Sequence, residues 1–419
     1  MWFDMTRFMR SAVIALLLIA GLPTSALAET SPDYSGFTIS QCIPFAKPKV
    51  AVNGGKSPKR SFTSAPSLSF KISGTDTVHT VQMDTGSVGL VMSSWLIPKF
   101  AQLARQPSAT PGWQFLSSSK ILWTGTWVKV PITLLKEGRV PVATAEVPVL
   151  GVQQTTQCPW YKATDQGICS ARPVGSREKP DVGIMRATNQ LKPIVYMGVG
   201  FGQEADFQPQ GTPDKNILLN LTSIGGKPVD SKAMRRGYII GMQGITVGLT
   251  PANTRDFKFI KLNQYCDPNA QSTGTACPST LASDWQSPAM CVSVNGQACV
   301  NGQLLVDTGI PQSYLDVPQQ VLYETMDAKN PSTKQITKVL STGTKIIVSL
   351  PDAVNPVVTT GFTVGAGEPI EPLHVIPWSW ERSSAFLNTG RYFLRGWQFL
   401  YDADQGYVGL KPSADTCGG

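Results

Sequence analysis

The tripeptide Asp-Thr-Gly occurs twice, each time directly after an apolar run: Val81-Gln82-Met83-Asp84-Thr85-Gly86-Ser87 and Leu304-Leu305-Val306-Asp307-Thr308-Gly309-Ile310. A carboxylate at the end of an apolar strand, followed by a glycine turn, needs a β framework that brings the strand end to a cleft. Two copies, one in each half of the chain, ask for that framework twice. The flanks repeat as well. Alternating Ser67 to Ile72, a break at Gly74, and a second run from Val78 predict a hairpin before the first copy. Residues 290–306 predict another before the second, with Asn295-Gly296 at its turn. Leu90-Val91-Met92 and Ser313-Tyr314-Leu315-Asp316-Val317 are short strands after the two copies. Short helices are expected at Ser94 to Ala104 and Pro318 to Ala328. Further strands are expected over Lys120 to Leu135, Ala145 to Val152, Ile194 to Val199, Tyr238 to Leu249, 345–350, 356–364 and 372–376. The chain reads as a mostly β protein with a weak internal repeat.

Composition narrows the class. Charged residues are 15% of the chain, beside 38 Gly and 32 Pro, which favours a turn-rich β protein over a helical one. The net charge of +8 is spread over scattered Lys and Arg, as on an ordinary basic surface, so nucleic acid is not an expected partner. Arg7 and Arg10 precede the apolar run Ala12 to Leu22, and Ala26-Leu27-Ala28 forms a small-x-small site, which together read as a signal peptide over residues 1–28. That run is shorter than the roughly 20 residues a bilayer span needs, so no transmembrane segment is expected, and an exported protein, periplasmic or secreted, is. About 390 residues then remain, enough for two domains. These are read as an N-terminal extension (29–62), an N-terminal β lobe (63–230) and a C-terminal β lobe (231–419). Eight cysteines in an exported chain suggest disulfides. Spacing suggests short loops closed by Cys158/Cys169 and Cys266/Cys277 and a bridged hairpin at Cys291/Cys299, with Cys42 and Cys417 near the two ends. Zinc is disfavoured, since no Cys-x-x-Cys occurs and only His79 and His374 are present.

Two carboxyls brought together share one proton, because both cannot ionise easily. The ionised member can take a proton from water while the protonated member polarises a carbonyl, with no metal, cofactor or covalent intermediate. In each copy the Thr hydroxyl can lock the turn to its partner, and the Gly lets a backbone N–H reach the carboxylate. His79, five residues before Asp84, reads as an ordinary strand histidine.

Asp84-Thr85-Gly86-Ser87, Asp307-Thr308-Gly309 and the closing pattern Gly390-Arg391-Tyr392-Phe393-Leu394-Arg395 through Tyr401-Asp402 to Val408-Gly409-Leu410 resemble the pepsin-like two-lobed aspartic proteases. The resemblance implies a two-lobed, mostly β pepsin-like acid protease fold with a cleft between the lobes. It also implies a monomer that holds an extended polypeptide substrate and cuts it through water activated by an Asp84/Asp307 dyad. Thr85 and Thr308 would lock the turns, Gly86 and Gly309 would offer backbone N–H groups, and Ser87 would position Asp84. With both chain ends in one sheet beneath the cleft, a Cys42–Cys417 bridge is implied too.

Three features depart from that pattern. Ile310 stands where Thr or Ser is usual, so Asp307 lacks the hydroxyl that Ser87 gives Asp84, and a raised Asp307 pKa is expected from the loss. The apolar-apolar-Gly segment behind each turn is Met197-Gly198 or Val199-Gly200 in the first half, and Phe386-Leu387-Asn388-Thr389-Gly390 in the second, where Asn and Thr replace Ile or Leu. The expected flap, between Trp113 and Trp127, has no Tyr; its tryptophans read mainly as core or cleft wall, with a Trp N–H the substitute donor. The competing function is a pepsin-fold binding or inhibitor-like protein with weak or no catalysis.

Overall fold

The computed structural model describes residues 31–46, 62–117, 119–170, 185–187, 193–203, 208–265, 284–329, 336–378 and 384–414, and Pro32–Gly419 forms one compact unit. The proposed signal peptide, Cys266, Cys277 and Cys417, and half of 29–62 lie outside the described residues. The protein is mostly β, built on several sheets, with 3-10 turns and one short α-helix, Phe100–Leu103, among the described residues.

A ten-stranded sheet is formed by chain between Ser67 and Pro228. At its centre, strand Val195–Val199 runs parallel to His79–Asp84 on one side and antiparallel to Val88–Ser93 on the other. A seven-stranded sheet repeats this arrangement. There Ala385–Asn388 runs parallel to Val300–Leu305 and antiparallel to Ser313–Asp316. The internal repeat in the sequence is therefore a repeat of strand order and direction. In both places a late strand is threaded between the strand that delivers the Asp and the strand that follows it.

A six-stranded sheet joins the early and late parts of the chain. Gln41–Pro44 is at one edge, followed by Gly244–Leu249, Arg235–Ile240, Trp397–Asp402, Tyr407–Pro412 and Lys258–Lys261. Leu68, Met83, Leu90, Met197, Ile240, Leu304, Leu387 and Phe399 belong to a single buried apolar cluster that runs through all three sheets. The hydrophobic effect on this shared core holds the two Asp-bearing sheets together.

The hairpins fall where turn chemistry placed them. Ser67–Ile72 pairs with His79–Asp84, and Ala289–Val294 pairs with Val300–Leu305 around Asn295 (φ 53°) and Gly296 (φ 72°), the left-handed pair that an Asn-Gly turn supplies. Disulfides Cys158–Cys169 and Cys291–Cys299 are present, with Cα separations of 5.9 and 5.6 Å. Cys42 is disulfide-bonded as well, while the expected partner Cys417 lies outside the described residues. Among the described residues no helix is long and apolar enough to cross a membrane.

Two expectations are corrected. Pro318 to Ala328 is not a helix: Val321 closes a turn onto Pro318, and Thr325–Lys329 is a strand paired with Ile336–Leu340. Leu322 and Met326 are exposed, so the segment has no buried stripe to hold a helix, and the β-branched Ile336, Thr337 and Val339 supply a strand partner instead. Tyr238 to Leu249 is a hairpin and not one strand. It folds back between Ile240 and Gly244, where Gly241 N–H donates to the Gly244 carbonyl (3.0 Å).

Candidate active site

Asp84 is the last residue of His79–Asp84, and Asp307 stands two residues beyond Val300–Leu305. Each side chain is almost fully buried, yet both line one cavity of about 260 Å³. That is ample for water beside the carboxyls, a water occupying about 30 Å³ of liquid.

The two turns are bolted together by their threonines. Thr85 N–H donates to Thr308 Oγ1 and Thr308 N–H to Thr85 Oγ1, both at 3.0 Å. Thr308 Oγ1 then donates to the Met83 carbonyl (2.8 Å), and Thr85 Oγ1 to the Val306 carbonyl (2.5 Å). Each hydroxyl thus satisfies a donor and an acceptor of the opposite strand end, where an unpaired buried group would be costly. The glycines make the approach possible. A Cβ on Gly86 would sit 2.8 Å from Asp307 Cγ, and one on Gly309 2.5 Å from Asp84 Oδ1. Neither position has room for a side chain.

The carboxyls lie side by side: the place a Cβ on Gly309 would take is 2.5 Å from Asp84 Oδ1 and 2.9 Å from Asp307 Oδ1. Asp84 Oδ1 accepts from Gly86 N–H (2.9 Å), and its Oδ2 from the Ser87 hydroxyl (2.8 Å). The Tyr196 hydroxyl also reaches Asp84 Oδ2, and it packs under Trp123, ring to ring at 5.7 Å. Asp307 Oδ1 accepts from Gly309 N–H (2.7 Å). Its Oδ2 has a donor after all: Asn388 Nδ2, at 2.7 Å. The raised Asp307 pKa was expected from an outer oxygen without a donor, and that premise does not hold. Ile310 lines the cavity, and the polar residue in the strand behind the turn makes the hydrogen bond that Ile310 cannot.

Burial pushes the Asp84 carboxyl well above the usual carboxylate range; the charge of Asp307 and the hydrogen bond between the two push in the same direction, against donation from Gly86 and Ser87. A carboxyl that holds its proton more tightly when folded stabilises the fold fully at pH below the ordinary carboxylate pKa. That contribution is lost as pH rises through the raised value. Asp84→Asn removes the ionisation. Its thermal midpoint, measured from pH 3 to 8, is therefore expected to gain on wild type steadily as pH rises. Parallel curves would contradict the raised value.

Other polar residues hold the turns from outside. Gln82 Nε2 donates to the Gly309 carbonyl (2.9 Å) and Gln208 Nε2 to the Gly86 carbonyl (3.2 Å). Buried Arg391 donates to the carbonyls of Phe62 (2.9 Å), Thr63 (3.1 Å) and Gly309 (3.4 Å). A hairpin of Thr110–Leu116 and Ile121–Lys136 brings Phe115, Leu116 and Ser117 to the cavity lining. At its base of return, Lys120 Nζ lies 5.3 Å from the ring of Trp378, which flanks the second sheet. Trp123 and Trp127 are buried, and the Trp127 N–H is given to Gln210 (2.7 Å), so these tryptophans serve as wall and core. His79 is half-buried against Phe70 at 5.3 Å.

Asp84, Asp307, Thr85, Thr308, Gly86, Gly309 and Ser87 thus all meet at one place. Sequence reasoning did not foresee Tyr196, Asn388, Arg391, Gln82 and Gln208. Asn388 carried a visible signal, being a polar residue at the end of the otherwise apolar, buried strand Ala385–Asn388. No protein-family model matches the chain and no curated protein matches it.

Proposed function

We propose that this protein is an exported aspartic endopeptidase of the pepsin-like, two-lobed kind, in which Asp84 and Asp307 activate water to hydrolyse peptide bonds. The observation that carries this reading is the pair of adjacent carboxyls, one delivered by each of two sheets with matching strand order, lining one cavity that admits water. The reciprocal threonine bonds support it, because they give the pair a fixed separation that a chance meeting of acidic residues lacks. The sharing of one sheet by Gln41–Pro44 and Tyr407–Pro412 agrees with the same architecture. The hairpin that lines the cavity suits a substrate lying extended between it and the carboxyls, and the disulfides suit an oxidising compartment.

The chemistry is general acid–base catalysis. One carboxylate takes a proton from water as the oxygen attacks the scissile carbonyl carbon, and the carboxylic acid gives its proton to the carbonyl oxygen. Digestion of a denatured protein from pH 3 to 7, with and without a statine-type inhibitor, tests the reading. Inhibitor-sensitive cleavage is expected, strongest on the acidic side and falling as the shared proton is lost. Absence of cleavage at every pH, with the inhibitor still bound, would turn the reading to a binding protein.

A further inference from the structure

The two strands threaded behind the catalytic turns carry a matched pair of polar residues. Asp84 pairs with Gly198, and the register places Tyr196 two residues before that glycine. In the second sheet Leu305 pairs with Asn388, which stands two residues before Gly390. Tyr196 and Asn388 therefore occupy equivalent places, and each meets the Oδ2 atom of its own aspartate. They differ in one chemical respect. A hydroxyl can donate or accept, so it suits a carboxylate or a carboxylic acid; an amide NH₂ can only donate.

The orientation of the Asn388 amide is not free. Its Oδ1 accepts from Gly390 N–H (3.0 Å), a group that can only donate. Its Nδ2 must then face Asp307 Oδ2. Asp307 consequently has an obligatory donor on each oxygen, Gly309 N–H on Oδ1 and Asn388 Nδ2–H on Oδ2. The buried guanidinium of Arg391 also interacts electrostatically with Asp307. Asp84 meets one N–H donor and, on Oδ2, two hydroxyls that can turn either way, those of Ser87 and Tyr196. Among the described residues, the other ionisable groups near the pair include the phenol of Tyr314, which burial above all keeps neutral and which senses Asp307, and Tyr392 and Arg395 beside Arg391.

We infer that Asn388 and Arg391 are positioning residues that fix the negative charge on Asp307, making Asp307 the base that deprotonates water and leaving the shared proton on Asp84, with Tyr196 and Ser87 turned to suit it. The inference rests on the protease reading for its catalytic half. In that reaction a water proton passes to Asp307 while the water oxygen bonds to the carbonyl carbon and the Asp84 proton passes to the carbonyl oxygen. The resulting gem-diol then breaks its C–N bond: Asp307 returns a proton to the leaving nitrogen, and a gem-diol hydroxyl proton goes back to Asp84.

Two measurements test it. The first needs no activity: titration of wild-type protein carrying 13C-labelled aspartate carboxyls, with the two resonances assigned by their loss in Asp84→Asn and Asp307→Asn. Asp307 is expected to ionise first as pH rises, and Asp84 ionising first overturns the inference. The second is the pH profile of kcat/KM for Asn388→Leu. Loss of a hydrogen bond to a charged group is expected to move the acidic limb up by about 1–2 pH units and to lower kcat about 10- to 100-fold, with KM little changed. Ile310→Ser added to Asn388→Leu places a hydroxyl three residues after Asp307, as Ser87 is after Asp84, and is expected to restore the limb. An unmoved limb in Asn388→Leu overturns the positioning role. If wild type cleaves nothing while Asp307 still ionises first, the protease reading falls and the charge assignment stands.

Discussion

Asp84→Asn protein is expected to lose peptide hydrolysis by about 10⁴-fold in kcat/KM while folding at least as well as wild type near neutral pH. The two halves of this expectation have one cause. Burial and the neighbouring Asp307 make ionised Asp84 costly. A neutral amide of the same shape removes that cost and also removes the proton that the carbonyl oxygen needs in the transition state. Acid–base groups contribute about 10²- to 10⁴-fold each, and the upper end applies because each carboxyl takes part in forming and in breaking the tetrahedral intermediate. Asp307→Asn is expected to be as severe. The double variant should be little worse than either single one, since the residues act as a unit and their effects do not multiply. Hydrolysis of an unfolded protein, followed beside thermal melts of the same samples, checks both halves. Either variant cleaving at the wild-type rate would end the protease reading.

How much of this was legible in the sequence depended on the range of the interaction. Features set within a few residues came through. Asn295-Gly296 placed a hairpin, the alternation from Ser67 to Ile72 placed a strand, and the repeated Asp-Thr-Gly placed two turns whose threonines do interlock. Features set by register across a sheet did not. The Asn388 bond to Asp307 spans 81 residues and the Tyr196 contact with Asp84 spans 112, and nothing local says which strand will be threaded behind each turn. For this reason Ile310 and Asn388 look like two separate faults in the chain when they are one exchange: the donor has moved from the turn to the strand behind it. Pro318 to Ala328 failed for a related reason. Its local composition permits a helix, but Thr325–Lys329 finds its hydrogen bonds in Ile336–Leu340, a partner that only the tertiary fold supplies.

Arg235→Ala is expected to destabilise the protein by about 3–5 kcal/mol without altering the chemistry of the dyad. Arg235 grips Asp402 with two bonds, Nε to Oδ1 at 2.9 Å and Nη2 to Oδ2 at 3.0 Å, on adjacent strands of the six-stranded sheet. Asp402 is fully buried and Arg235 nearly so. Asp402 Oδ1 also accepts the N–H groups of Asp404 and Gln405, which shapes the turn leading into Tyr407–Pro412. Removing the guanidinium leaves a carboxylate without water and without a counter-ion, and that penalty is much larger than the net worth of the intact pair. The pair itself is therefore a poor measure of stability, and a double-mutant cycle separates the two quantities. Arg235→Met with Asp402→Leu fills the space with apolar groups and is expected to recover most of the loss from either single change. Thermal midpoints of the four proteins give the coupling. Activity per folded molecule should stay near wild type throughout, because Arg235 and Asp402 make none of the hydrogen bonds that hold Asp84 and Asp307. A loss for Arg235→Ala of under about 1 kcal/mol, the range of an exposed ion pair, would show that water reaches Asp402 and that the joining sheet is more open than its burial indicates.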